Sequence, residues 1–108
     1  MVKLTALYGQ PQDPSAFDRH YQQVHAPLAL KFPGLKGFTT DKPMALNPQE
    51  KSPYYFIATL YWANMQAFQE ALPSSEVQAA VADLQNFATG GVTLLVGELE
   101  VVAPVSLS

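Results

Sequence analysis

The chain has 108 residues, room for one domain; 48% are hydrophobic, 14% are charged, and the net charge is −3. This balance, with its six scattered basic residues, argues against nucleic-acid binding, and the lack of cysteine excludes disulfides and thiolate metal sites. The charged share is below the roughly one quarter that is usual for soluble domains, so we expect apolar surface to be covered by a partner or to enclose a cavity.

The residues from Met1 to Tyr8 lack the basic leader and long apolar stretch of a signal peptide. No apolar run reaches the length of a membrane span. We therefore expect a cytoplasmic protein that binds neither membrane nor nucleic acid. The sequence predicts a single domain over residues 1–103 and a loose C-terminal tail over 104–108.

The first predicted elements are a strand over Val2–Tyr8 and a helix that begins at Asp13. Asp13 is a favourable N-cap, and Pro14 suits the first helical position, where its missing N–H costs nothing. The apolar residues of this helix recur at helical spacing and predict its buried stripe: Phe17, Tyr21, Val24 and Leu28.

Pro27 interrupts this first helix. Its ring clashes with the carbonyl of Gln23, and a proline moves the preceding Ala26 away from helical angles. We therefore expect the helix to kink or end at His25–Ala26, to resume for at most a turn, and to stop at Pro33–Gly34.

The middle of the chain contains two predicted strands, Leu35–Asp41 and Tyr54–Trp62, and a proline-rich loop over residues 42–53. The later strand is apolar on both faces, which is typical of a strand covered on both sides. Its first face is Tyr54, Phe56, Ala58, Leu60 and Trp62, and its second is Tyr55, Ile57, Thr59 and Tyr61.

The last third of the chain predicts two helices and a strand. Asn64 caps the first of these helices, and Ser74 or Ser75 caps the second, which should end at Gly90–Gly91. The final strand is predicted over Val92–Val102. The apolar stripe of the second helix is predicted to be Val77, Val81, Leu84 and Ala88.

The order of elements is βαββαβ, the ferredoxin-like arrangement of the α+β class. Its helices cover one face of a four-stranded antiparallel sheet and leave the other face bare. Because the strands carry apolar residues on both faces, we expect a second copy of the chain to cover the bare face, sheet against sheet about a two-fold axis. The sequence thus predicts a homodimer.

Motifs from Val2 to about Val102 resemble those of one known family. They are Pro11-x-Asp13-Pro14 after the first strand, Tyr21-x-x-x-His25-x-Pro27-Leu28, Pro33-Gly34-Leu35, and Ala58-x-Leu60-x-Trp62 running into Ala67-Phe68. Together they resemble the EthD family, which belongs to the dimeric α/β-barrel superfamily. The resemblance implies a dimeric α/β barrel and a place beside degradation pathways, including those for ether compounds.

What the resemblance implies about chemistry is broad. Related barrels act as cofactor-free monooxygenases, polyketide cyclases, lactone isomerases, or dehalogenating and haem-handling enzymes, and the fold alone does not choose among these. In similar sequences a carboxylate often occupies the place of Thr59, and its absence here weakens any mechanism that needs an acid from the third strand.

His25 and Tyr21 are the candidate catalytic residues. An imidazole can move a proton in either direction near neutral pH, and a helix opened at Pro27 could aim His25 into a cleft. The alternative is structural: a histidine at a helix C-terminus is stabilised by the helix dipole. His20 is predicted to be a solvated surface residue, about 140° from His25 around an α-helix. We therefore expect no metal site, and no cofactor is predicted.

A second set of residues is predicted to face the partner sheet and to bind an apolar or aromatic small molecule. A mostly apolar lining with a few hydroxyls is typical of small-molecule pockets, but it is also typical of a packed dimer interface. The predicted ligand-binding residues are Thr5, Leu7, Ile57, Thr59 and Tyr61.

The residues leave open whether the chain is an enzyme. In the first hypothesis, His25 transfers a proton to or from a bound aromatic or polyketide-like molecule, in cofactor-free oxygenase or cyclase chemistry, with Tyr21 or Tyr61 assisting. In the second, the chain is a non-catalytic binding or accessory module for a partner oxygenase. A structural dimer with a filled interior is the third. A void between the sheet and the helices, reached by His25, would favour the first two.

Overall fold

Four antiparallel strands form one sheet, in the order β2-β3-β1-β4, in the computed structural model, which describes residues 1–105. The ferredoxin-like βαββαβ order predicted from the sequence is confirmed. The strands are β1 (Val2–Gly9), β2 (Leu35–Asp41), β3 (Tyr54–Trp62) and β4 (Val92–Glu98). The helices are α1 (Pro14–His20), a π-helical segment (Tyr21–His25), α2 (Ala26–Ala29), α3 (Met65–Ala71) and α4 (Ser75–Asp83).

The predicted helix caps are confirmed. Asp13 accepts a hydrogen bond from the backbone N–H of Ala16 at 3.1 Å, and Pro14 opens α1. Asn64 caps α3 at 2.8 Å, and of the two candidate serines Ser74 caps α4 at 3.2 Å. Among residues 1–105, none of the helices has the length and hydropathy that a membrane crossing requires.

The core lies between the sheet and the helices. Trp62 is 1% exposed, and its indole N–H donates to the carbonyl of Pro33 at 2.9 Å. Edge-to-face aromatic contacts, with centroids 5 to 6 Å apart, connect β1 to α1 and β3. The rings at the centre of this packing are Tyr8, Phe17, Tyr21, Phe56 and Phe87.

The two faces of the sheet separate as the alternation predicts, with one exception. Phe56, Ala58, Leu60 and Trp62 are buried beneath the helices. Tyr55 was predicted on the opposite face, but its hydroxyl donates to Asp18 of α1 at 2.9 Å. The prediction was wrong because a register shift where Gly9 pairs with Tyr54 puts an extra residue into β3, and such a β-bulge breaks the period of two.

Two predicted boundaries in the last third of the chain were also wrong. β4 ends at Glu98, not at Val102, because its ladder with β1 ends there: Glu98 pairs with Val2, the first residue of β1, and the backbone N–H of Leu99 then donates to the carbonyl of Met1 at 2.8 Å. α4 ends at Asp83 and passes through a 3₁₀ turn over Leu84–Asn86, well before Gly90. Gly90 instead lies so close to the first strand that any side chain there would collide with the backbone of Gly9 and Gln10.

The predicted apolar stripe of α4 is displaced around the helix. Val77 is buried as predicted, but the other buried residues are Ala80 and Asp83, and Val81 is 49% exposed. α4 packs against α2, so the residues in contact follow a spacing of three along the helix. This displacement places a carboxylate, Asp83, in the core.

Candidate functional site

A π-helical turn replaces the predicted kink before Pro27. Ala26 keeps helical angles, φ −60° and ψ −43°, and its N–H bonds the carbonyl of Tyr21, five residues earlier. The wider turn removes the clash that an α-helix would impose between Pro27 and the carbonyl of Gln23. The helical backbone therefore continues through His25 into α2 and does not end at His25.

The π turn changes which residues point into the core. Tyr21, His25 and Ala29 are buried at a regular spacing of four, with Phe17 before them. The predicted stripe was therefore right for Phe17 and Tyr21 and wrong for Val24, which is 40% exposed. His25 takes the core position and is itself only 7% exposed.

Asp83 is the hub of a buried hydrogen-bond cluster. Its carboxylate contacts His25 Nδ1 at 3.0 Å, His20 Nε2 at 2.8 Å and the amide of Asn86 at 3.0 Å. The prediction that His20 is a solvated residue, pointing away from His25, was wrong. It assumed α-helical geometry throughout, whereas a π turn joins residues five apart, so both imidazoles meet one carboxylate.

The hydrogen bonds fix the protonation pattern of His25. An ionised carboxylate only accepts, so His25 must carry its proton on Nδ1 to bond Asp83. Its Nε2 is then an acceptor, and the Tyr8 hydroxyl, 3.5 Å away, is the donor that faces it. The result is a carboxylate–imidazole–hydroxyl chain that runs from α4 through the π segment to β1.

The electrostatics favour a neutral His25 beside a charged Asp83. Burial lowers the pKa of His25 below its ordinary value of 6.5, although the hydrogen bond with Asp83 and its negative charge act in the opposite direction. Burial acts to raise the pKa of Asp83, but the hydrogen bonds from Asn86, His20 and His25 outweigh it and lower that pKa. Burial also raises the pKa of Tyr8, which stays protonated. The cluster therefore holds a base that is unprotonated at neutral pH.

An apolar cavity of about 60 Å³, which we call the His25 cavity, lies between the sheet and the helices. His25, Tyr8 and Tyr21 are the lining residues with polar side-chain atoms. Partly exposed apolar residues of α4 and β4, such as Val81 and Leu94, line it on the other side. The full lining is Leu4, Ala6, Tyr8, Tyr21, His25, Ala29, Phe32, Ala58, Leu60, Val77, Ala80, Val81, Leu84 and Leu94.

The structure brings the two predicted catalytic residues together but separates them from the predicted ligand-binding set. The rings of Tyr21 and His25 lie 5.3 Å apart, on the helix side of the sheet. The other set forms cross-strand neighbours on the bare face, with Thr5 opposite Thr59 and Leu7 opposite Ile57. Tyr61 lies on that face too, so the sheet stands between this set and His25.

Asp83, Asn86 and the role of Tyr8 were missed by sequence reasoning. A carboxylate three residues after Ala80 on an otherwise apolar side of a helix was the available signal. The predicted stripe instead passed through Val81 and Leu84, and it left Asp83 on the other side of the helix. Within residues 1–105, no group of three or more histidine or carboxylate side chains has an arrangement that could hold a metal ion.

Comparison with known proteins identifies the family. Residues 9–91 match the model of the EthD domain, which is more than half of the chain. The chain belongs to the EthD family. The resemblance seen in the sequence is thereby confirmed.

The relatives of this EthD protein include one sequence of nearly the same length. An uncharacterized 11.0 kDa protein in the thcB–thcC intergenic region of Rhodococcus erythropolis is 40% identical over 104 residues, 96% of this chain and 100% of the relative. An EthD family protein of Bacillus halodurans has a crystal structure with 38% identity and a TM-score of 0.85, covering 93% of this chain and 99% of that one.

A more distant neighbour shares the fold. A variant of SnoaB, a cofactor-independent oxygenase from Streptomyces nogalater, has a TM-score of 0.68 at 15% identity and covers 96% of this chain and 97% of its own. At this identity the likeness shows the ferredoxin-like fold alone.

Proposed function

We propose that this EthD protein binds an apolar or aromatic small molecule between the sheet and the helices, and that His25 acts there as a general base. The observation that carries the proposal is the buried chain Asp83–His25–Tyr8, which ends at an apolar cavity. A void that His25 reaches favours both the enzyme and the binding-module hypotheses over a filled interior, and the buried Asp83–His25 pair is what favours the enzyme.

His25 has the properties that a general base needs. Asp83 holds the ring through Nδ1, so the Nε2 lone pair has a fixed direction. Because burial lowers the pKa of His25, the ring is unprotonated at neutral pH. When His25 takes a proton, the nearby Asp83 carboxylate stabilises the imidazolium that forms.

The mechanism requires one acidic O–H or activated C–H of the ligand within hydrogen-bond reach of Nε2. His25 removes that proton and leaves an oxyanion or enolate on the ligand. The Tyr8 hydroxyl, 3.5 Å from Nε2, then donates to the ligand oxygen. Proton abstraction by a side chain needs no cofactor, and SnoaB, which shares the fold, is named a cofactor-independent oxygenase.

The partly exposed residues on the bare face of the sheet support a second part of the proposal, that the chain forms a homodimer. Thr5, Leu7, Ile57, Thr59 and Tyr61 are only half-buried on this face, and Leu95 beside them is 55% exposed. A second copy placed sheet against sheet would cover this surface. On this proposal the residues predicted to bind ligand belong to the dimer interface, and His25, Tyr21, Tyr8 and Asp83 belong to the ligand site.

Deuterium exchange into anthrone tests the proposal, since its acidic C–H sits on an apolar aromatic skeleton. We expect the protein to catalyse exchange in D₂O, followed by NMR, and His25→Asn to slow the catalysed rate by about 100-fold. Asparagine keeps an N–H where Nδ1 donates to Asp83, so the fold is preserved. Gln23→Asn is the matched surface control and should leave the rate unchanged.

Two outcomes would contradict the base. If His25→Asn exchanges as fast as the wild type, His25 is not the base. If anthrone binds but wild-type protein gives no exchange above background, the non-catalytic binding module becomes the better description.

A further inference from the structure

A second recess lies on the outer side of the π segment, between it and β2. This groove has a volume of about 310 Å³. We propose that it is a ligand-binding site for a neutral aromatic molecule with a hydroxyl or carbonyl oxygen, joined to the His25 cavity by movement of the Tyr21 ring. The groove is lined by Asp18, Tyr21, Gln22, Ala26, Leu30, Phe38, Thr40, Lys42 and Phe56.

The volumes of the groove and of the His25 cavity support this proposal. The His25 cavity has about 60 Å³, whereas a cavity known to bind benzene has about 150 Å³. With about 60 Å³, the His25 cavity can therefore hold a reacting group but not an aromatic ring. The groove, with about 310 Å³, lies in the range of roughly 300–1,000 Å³ that small-molecule sites occupy. Of the two recesses that Tyr21 lines, the groove is therefore the one with room for the body of an aromatic ligand.

Tyr21 is the shared wall. It lines both the groove and the His25 cavity, and its ring centroid lies 4.4 Å from Phe56 and 5.3 Å from His25. Tyr21 thus borders both the groove and the cavity that holds the base. A rotation of Tyr21 would join the two spaces and bring a ligand atom to Nε2 of His25.

The chemistry of the groove selects the ligand class. Phe38, Phe56 and Tyr21 give it an aromatic floor, which suits a planar ring. At its rim, Lys42 Nζ contacts Asp18 at 2.9 Å and donates to the Tyr55 hydroxyl at 3.2 Å.

The rim is electrically balanced but keeps a hydrogen-bond donor. The opposite charges of Lys42 and Asp18 cancel at short range, so the groove offers no net attraction to a carboxylate. An ammonium has three donors, and two are used. The third can bond a neutral hydroxyl or carbonyl oxygen.

The inference rests on the proposed function only in naming the base that the ligand would meet, because binding in the groove can be measured without turnover. The probes are 1-naphthol, which is neutral at pH 7, and 1-naphthoate, which is an anion. Titration calorimetry with the full chain should show 1-naphthol binding at least about tenfold more tightly than 1-naphthoate.

A matched pair of variants locates the site. Gln22 lines the groove, and the neighbouring Gln23 does not; both are exposed on the same turn. Gln22→Trp fills the groove and should raise the Kd for 1-naphthol by about tenfold, whereas Gln23→Trp should leave it within about twofold. Equal melting temperatures of the two variants would show that both fold.

A further variant distinguishes binding in the groove from binding in the His25 cavity. Leu94→Trp narrows the far side of the His25 cavity and should not change the Kd for 1-naphthol. The inference is overturned if Leu94→Trp weakens binding and Gln22→Trp does not, if 1-naphthoate binds as tightly as 1-naphthol, or if the wild type binds neither. If the wild type binds 1-naphthol but catalyses no exchange into anthrone, the role of His25 as a base is contradicted while the groove remains a binding site.

Discussion

The two faces of the sheet differ in how their polar groups are used. On the helix face, the carboxylate of Asp83, both ring nitrogens of His25 and the Tyr8 hydroxyl have hydrogen-bond contacts. On the bare face, threonines and aliphatic side chains alternate without such a chain, and Leu95 remains 55% exposed. A buried, connected polar chain is costly unless it is complete, whereas exposed apolar surface calls for a cover. The contrast assigns chemistry to the helix face and assembly to the bare face.

A charge on the bare face should have the largest effect. Ile57→Lys places an ammonium where the second copy is expected to pack, so we expect the dimer dissociation constant to rise by at least about 100-fold. Sedimentation velocity measures the change. Val24→Lys, on the exposed surface of the π segment, is the control and should stay dimeric. A wild-type monomer at high concentration, or an Ile57→Lys dimer, would remove the role given to this face.

Breaking the hydrogen-bond chain of the helix face should have a smaller effect than a charge on the bare face. We expect it to lower the stability of the protein, whereas a matched change on the bare face should leave stability nearly unchanged. Asp83→Asn removes the charged acceptor shared by His20 and His25, and we expect the free energy of unfolding to fall by about 2 kcal/mol. Thr59→Val on the bare face has nearly the same shape as the wild type and should change stability by less than about 0.5 kcal/mol. Urea denaturation compares the two. Equal losses would mean that the two faces are not energetically distinct.

Lowering the pH should reduce the stability of the protein by a smaller amount, through the titrating groups on the helix face. Because burial lowers the pKa of His25, the unfolded chain binds more protons than the folded chain below pH 6.5. Stability is therefore full above that pH and falls as the pH drops toward the folded pKa. Asp83 has the same sign, but it acts only below its ordinary value of 3.8.

The control for the acid effect is His25→Asn, which retains every other titrating group. Between pH 7 and 5 the melting temperature of the wild type should fall more than that of the variant. Parallel curves would show that His25 is not the group responsible.

Much of the fold follows from local sequence signals. The bounds of β2 and β3 match the predictions, and the caps at Asp13, Asn64 and Ser74 depend on single side chains near their own helices. Bounds that depend on distant partners were missed. β4 ends where its pairing with the start of β1 ends, and the residues of β4 do not encode that position.

The site was predictable only in part for the same reason. His25 and Tyr21 stand out through their spacing and the proline that follows. The clash at Pro27 can be relieved by a kink or by a wider turn, and the local sequence does not choose between them. The wider turn presents His25 to Asp83, 58 residues away, and that contact belongs to the tertiary structure.

The nitrogen NMR signals of His25 test the central claim most directly, and they can be assigned by their loss in His25→Asn. We predict that the ring is protonated on Nδ1 at neutral pH and that the pKa of His25 lies below 6.5. This pKa should fall further in Asp83→Asn, because the Asp83 carboxylate raises the pKa of His25. A ring protonated on Nε2, or a pKa above 6.5, would contradict the assignment of His25 as a base held by Asp83.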